Sequence, residues 1–455
     1  MTSDRSTAER STSERFAEAE RELEQRGTSR MVFELGRIEG LLEMLGDPQK
    51  AYPSIHVTGT NGKTSTARMI DALLRAHGLR TGRYTSPHLT TVRERITIEA
   101  QPIGEERFVD VYDEVAPVAK LLDERAGESL TYFDMTTAMA FAAFADAPVD
   151  VAVIEVGLGG VDDSTNVVHA GVCVITPIGL DHQEWLGDTL EDIALAKAGI
   201  VHKGATLVCA AQPDEAMRPI LEHCAEVDAT IAREGSEFGV LHRSLAVGGQ
   251  VLTLQGLSGV YGDVYLPLHG AHQAENAAVA LAAVEAFLGA GADKALDVET
   301  VRAGFAAASS PGRLERVRTS PTILLDAAHN PHGMAATVTA LGEEFDFRRL
   351  VAVVATLTDK DSQGILELLE PVVDAVVVTR NTSPRATPTA ELARIAVEIF
   401  GEDRVQVEPA LPDAIEAAVT LAEADMDAEI SGVGVLITGS VVTVADARRM
   451  LKRDE

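Results

Sequence analysis

The sequence predicts an α/β protein built around a doubly wound sheet, and three observations carry that reading. Apolar residues fill 46% of 455 positions while aromatics fill 4%, a soluble α/β composition rather than a disordered one. Continuous apolar runs at Val151–Val156 and Val172–Ile178 read as parallel strands buried on both faces. At Ile55–Val57 a short strand runs into a glycine-bearing turn, and Ala67, Ile70, Leu73 and Leu74 follow at helical spacing. Strand, turn and helix in that rhythm make a parallel α/β layer.

Taken in order, residues 1–14 are polar and expected to be a disordered tail. A helix is expected from Phe16 to Arg26, stopped by Gly27. Between Phe238 and His269 the texture becomes glycine-punctuated alternation, which predicts hairpins forming a small antiparallel insert. A helix from about Gln273 to Leu288 follows. The turn residues of Ala307-Ala308-Ser309-Ser310-Pro311-Gly312 predict a domain boundary. Beyond it the rhythm restarts at TILLDAAHN, LVAVVATLTD, AVVVTR and VGVLITGS. The expected domains are therefore 15–308 and a smaller α/β domain at 309–455.

The formal charge is −31, from 39 basic and 70 acidic residues. That balance argues against nucleic acid, whose binding needs clustered cations, and against an anionic membrane surface. An anionic ligand would have to be held by local cations, metal and helix N-termini against the global field. Cys173, Cys209 and Cys224 show neither ligand spacing nor an even count, so a reducing cytoplasm is expected. The first residues carry no apolar signal core, and no run of eighteen apolar residues follows.

The chemistry-bearing stretch is Gly59-Thr60-Asn61-Gly62-Lys63-Thr64. The longer Walker loop has a glycine five positions before the glycine of GK, and here that place is Val57. The flanks still supply what phosphate needs: backbone N–H groups, a helix N-terminus, the Lys63 charge and a Thr64 hydroxyl for Mg²⁺. Glu155 and His182 follow apolar runs, at strand ends where α/β sheets bind ligands. Alone, Ser86-Pro87 reads as a loop turn, Glu155 as a helix cap, His182 as structural and Lys197 as solvated. Together, the Ser86 hydroxyl, the Glu155 carboxylate and the His182 imidazole make a hard Mg²⁺ site. Arg313 stands at the boundary, and Asp326 and His329 at a strand end before a helix start.

These motifs resemble the folylpolyglutamate synthase / dihydrofolate synthase family of the Mur-ligase-like amide ligases, from about Phe16 to Arg449. Its carriers are GTNGKTS, TSPHL with Arg93-Glu94-Arg95-Ile96, TYFDMTTAMAF, EVGLGG…DDSTNVV, GLDH, AKAGIV, HQAENAAVALAA, SPGRLE, LDAAHNP, TDKD, SPRA and TGS. The resemblance implies a P-loop ATP-binding domain and a Rossmann-like C-terminal ligase domain. It implies that Gly59, Thr60, Asn61, Gly62, Lys63 and Thr64 hold ATP, with Asn276, Arg313 and Asp326 at further nucleotide contacts. Thr64, Ser86, Glu155 and His182 would hold two Mg²⁺ ions, helped by a carbamylated Lys197. Lys63, Lys197 and His329 would be catalytic. Thr131, Tyr132, Phe133 and Asp134, with Asp162, Asp163 and Ser164, would line the pterin pocket. The implied reaction joins L-glutamate to dihydropteroate or to folates through an acyl phosphate, in a cytoplasmic monomer.

Three positions depart from the family pattern. Val161 stands for an arginine in GLGGR-x-DATN, Ala196 for the glutamate of EKAGI, and Asp134 for a glutamate. The rival readings are a Mur-type ligase for another carboxylate and a nucleotide-binding regulatory protein. A peptidoglycan ligase has a UDP-binding domain before the loop, where this chain has about fifty residues.

Overall fold

In the expected parallel layer, β1 (Ser54–Thr58), β2 (Thr81–Tyr84), β3 (Ile96–Ile98), β4 (Gln101–Pro102), β5 (Val151–Glu155), β6 (Val172–Ile175), β7 (Thr206–Cys209) and β8 (Thr230–Arg233) form one sheet. This is a computed structural model, and it describes residues 11–27, 30, 32, 34–290, 294–424 and 432–451. The strand order is β4-β3-β2-β5-β1-β6-β7-β8. The six strands from β2 to β8 run parallel, and β3 and β4 close one edge antiparallel. All residues of β1 and β5 are buried, which is why neither run alternates.

Successive side chains leave a strand on opposite faces, and two cores result. Val151 and Val153 pack with helices Lys63–Ala76 and Ala271–Leu288. Ala152 and Ile154 pack with helices Glu105–Ala126 and Tyr132–Asp146. The insert is a three-stranded antiparallel sheet of β9 (Gly239–Ala246), β10 (Gly249–Gln255) and β11 (Val260–Leu266). Its Leu252, Leu254, Val264 and Leu266 join the first of these cores.

The second domain adds β12 (Glu315–Thr319), β13 (Thr322–Leu325), β14 (Arg349–Val354), β15 (Ala375–Val378), β16 (Val405–Val407) and β17 (Val433–Thr438). They are ordered β12-β13-β17-β14-β15-β16. Only the β12–β13 pair is antiparallel. A Ser65 Oγ···Ser310 Oγ bond of 2.9 Å ties the turn between domains to the loop helix.

The N-terminal expectation needs correction. Residues 1–10 lie outside the described residues, and the first helix starts at Thr12 rather than Phe16. Ser11 caps it by accepting from Glu14 N, and Glu14 Oε2 accepts from Ser11 N at 2.9 Å. This Ser-x-x-Glu box was present in the tail but lay among polar residues without apolar periodicity.

Candidate active site

β1 reaches Thr58 before the chain turns, so Val57 is a buried strand residue paired with Glu155 and Val174. The strand has taken the position of the longer loop's first glycine. The two glycines that remain are both required. Gly59 has φ 147°, and a Cβ there would lie 1.9 Å from Thr176 Oγ1. Gly62, at φ 86°, is the left-handed cap of helix Lys63–Ala76, and its Cβ would lie 2.5 Å from Asn276 Oδ1. Gly59→Ala is expected to cost about 2–4 kcal/mol, because overpacking adds to backbone strain. Denaturant unfolding checks this, and a loss below about 0.5 kcal/mol, the range of a neutral surface change, contradicts it.

Two amines meet at that loop. Lys63 Nζ donates to Gly59 O at 2.9 Å and to Thr60 O at 3.1 Å. Lys197 Nζ donates to the same Gly59 O at 2.9 Å. Burial pushes both amines below the usual lysine range, Lys197 well below it, where the neighbouring Lys63 charge adds to the effect. Lys197 is 4% exposed, so the solvated reading of its helix position is wrong. Opposite them, Glu155 is 1% exposed and accepts Thr64 Oγ1 at 2.7 Å and the Ser86 backbone N–H at 3.3 Å. Burial raises its carboxyl, and the Lys63 charge opposes that rise.

His182 sits at φ 55° and caps the short helix Gln183–Leu186. Burial, reinforced by the Lys360 and Lys63 charges and opposed by Asp181, brings its imidazole down to about 4. It is therefore neutral at pH 7, with a lone pair to offer a metal. Among the described residues no three His, Cys, Asp or Glu side chains converge on one point. Glu155, the Thr64 and Ser86 hydroxyls and His182 nevertheless line one cavity. The carboxylate and the two hydroxyls are hard oxygen donors that fit Mg²⁺ when phosphate and water oxygens complete its shell, with the neutral imidazole as a borderline fourth donor.

Arg313 and His329 of the second domain line the same cavity. Two other expected nucleotide positions stand behind its wall. Asp326 accepts Leu314 N at 2.9 Å, Ala328 N at 3.0 Å and Thr337 Oγ1 at 2.8 Å, which fixes the turn that carries Arg313. Asn276 backs Gly62, and its Nδ2 donates to Gln273 Oε1 at 3.3 Å.

The two segments expected to line a pterin pocket come together. Thr131 caps helix Tyr132–Asp146, and Asp134 accepts Thr131 N at 2.8 Å and Ser164 Oγ at 2.6 Å. The shorter Asp134 thus still spans to Ser164. Phe133 lies over Gly157, where a Cβ would be 2.5 Å from its Cζ. Asp163 is buried and accepts Leu158 N at 2.8 Å, whereas Asp162 is exposed. The other two departures are neighbours: Val161 N donates to Ala196 O at 2.9 Å. Val161 is 45% exposed, so Val161→Arg is expected to change stability by no more than about 0.5 kcal/mol, read from the denaturant midpoint.

Sequence reasoning assigned no role to Asp181 or Lys360, although both lie in quoted motifs. Lys360 Nζ reaches Asp181 Oδ1 at 2.6 Å across the two domains. Their position after strand ends of two facing sheets was the available signal.

A short phosphate loop, a buried lysine beside it and a second α/β domain closing the cleft define a Mur-type ATP-dependent ligase. The Mur ligase middle domain model matches residues 57–284, and the Mur ligase glutamate ligase domain model matches 312–441. The chain belongs to the dihydrofolate synthase/folylpolyglutamate synthase family. It is 53% identical over 439 residues to the enzyme of that name from Mycobacterium tuberculosis, covering 92% of this chain and 90% of that protein. The Bacillus subtilis counterpart is 33% identical, with 92% and 95% covered. The M. tuberculosis folylpolyglutamate synthase structure complexed with ADP superposes with TM-score 0.93 at 52% identity, covering 98% of this chain and all of that one. E. coli FolC in complex with DHPP and ADP gives 0.82 at 31% identity, covering 96% and 98%.

Proposed function

We propose that this chain uses ATP to join L-glutamate to the carboxylate of dihydropteroate and to the γ-carboxylate of reduced folates. It would act as a cytoplasmic monomer. The observation that carries the reading is the convergence of Lys63 and Lys197 on Gly59 O, beside buried Glu155, in a cleft shared with Arg313 and His329.

In the first step a substrate carboxylate oxygen attacks the γ-phosphorus of ATP, the bond to the β-phosphate oxygen breaks, and ADP leaves an acyl phosphate. In the second, the neutral amine of glutamate attacks the acyl carbon, phosphate departs with the C–O bond, and the nitrogen loses a proton. The Gly59–Thr64 backbone and Lys63 hold the phosphates and offset developing charge, so catalysis is mostly positioning and electrostatics. Arg313 reaches the nucleotide from the second domain, held by the turn that Asp326 fixes. His329, whose Nδ1 is held by Ala327 O at 3.0 Å, would receive the amine's proton on Nε2. Mg²⁺, when bound, supplies Lewis-acid polarisation of the phosphoryl oxygens, and Thr64, Ser86, Glu155, His182 and a carbamate on Lys197 would hold it. That carbamate forms when the neutral Lys197 amine adds CO₂ and loses a proton. The folate or pteroate ring would lie along Thr131–Asp134 and Asp162–Ser164.

The test is incubation of purified protein with ATP, Mg²⁺ and L-glutamate, with dihydropteroate in one arm and a reduced folate in the other. Mass spectrometry should find a glutamylated product in both. Product in only the folate arm reduces the function to polyglutamylation. Product in neither overturns the reading in favour of another carboxylate.

A further inference from the structure

One carboxylate that the ligase chemistry does not use spans the mouth of the cleft. Asp181 Oδ1 accepts Lys360 Nζ at 2.6 Å, and Oδ2 accepts Asn330 Nδ2 at 2.8 Å. Both partners belong to the second domain. Asn330 Oδ1 accepts Asn61 Nδ2 of the phosphate loop at 3.1 Å, and His329 Nε2 stands 3.6 Å from Asp181 Oδ2. One network therefore joins the loop and the GLDH turn to the start of helix Pro331–Glu344 and the turn after β14. The charged side chains are nearly dry, 7% exposed for Asp181 and 6% for Lys360.

A buried ion pair is a poor source of stability, because desolvation offsets its attraction. What this one does is fix an arrangement: it exists only while the domains are together, with Lys360 Nζ also 3.4 Å from His182 Nε2 and His329 lining the loop cavity. We propose that Asp181 is a positioning residue that latches the second domain shut and keeps water from the acyl phosphate until glutamate's amine attacks. The inference rests on the ligase reading. Water attack on the acyl phosphate returns the free carboxylate and inorganic phosphate, so an unlatched enzyme consumes ATP without forming amide.

The experiment compares Asp181→Asn, Lys360→Met and the double variant with the wild-type chain, measuring amide formed, phosphate released and ADP affinity. Each single variant is expected to lose roughly 100-fold in amide-forming kcat, because each strands one buried charge. Phosphate released per amide should rise, while ADP affinity stays within about threefold, since the changed side chains hold the latch rather than the nucleotide. The double variant should lose no more than the worse single one, since coupled partners are not additive. Losses that multiply, an unchanged ratio of phosphate to amide, collapsed ADP affinity, or a kcat near wild type in either single variant would each overturn the latch. Product from the wild type with any of these results removes the latch alone, and no product from the wild type removes both readings.

Discussion

Lys63→Ala is expected to lower turnover by about 10³-fold, the usual scale for removing one cation from a transferring phosphoryl group. Lys63 is the first residue of its helix and donates to both Gly59 O and Thr60 O. Its charge therefore shapes the loop, and in the proposed reaction it would also face the phosphates. On a chain of net charge −31, an anionic nucleotide needs such local cations, and Lys63 and Arg313 line one cavity. The Gly59 carbonyl keeps a donor in the variant, because Lys197 also reaches it. Unfolding should therefore remain a single cooperative transition. Turnover within about tenfold of wild type would show that backbone N–H groups and the helix end suffice.

Lys197→Met is expected to abolish turnover by about 10²–10³-fold while making the apo protein more stable by about 1–2 kcal/mol. A buried amine with a charged neighbour is costly to the fold. Burial and Lys63 hold it well below the ordinary lysine range, so the unfolded chain binds more protons than the folded one. Stability contributed at this position then rises with pH and falls as pH drops. Methionine removes that dependence, and Gly59 O is still satisfied by Lys63. The neutral amine is also the form that adds CO₂. Wild-type activity should therefore fall in CO₂-free buffer and return with bicarbonate, whereas Lys197→Met should not respond. A wild type indifferent to CO₂ would contradict the carbamate, and a destabilised methionine variant would contradict the cost assigned to the amine.

Much of the fold was legible because both faces of the central strands are covered, and continuous apolar runs report that directly. The glycine-punctuated alternation at 238–269 likewise became β9–β11. The first helix was placed late because its cap is polar and its apolar face sparse, with only Ala19 and Leu23 buried. At the site, Gly59–Thr64, Ser86, Glu155, His182, Lys197, Arg313 and His329 were found by motif and do line one cavity. What the motifs could not convey is direction. Asp326 and Asn276 face inward to fix backbone and loop. The Asp181–Lys360 contact joins residues 179 positions apart, a separation at which no local pattern operates. The neighbouring Val161 and Ala196 were two separate anomalies in one dimension and a single contact in three.

The central claim is that ATP activates a substrate carboxylate by phosphorylating it. The most direct measurement supplies a reduced folate labelled with ¹⁸O in its γ-carboxylate and analyses the phosphate released during glutamylation. The acyl-phosphate route predicts that phosphate carries one labelled oxygen for every amide formed from fully labelled carboxylate. Unlabelled phosphate accompanying normal product would contradict it.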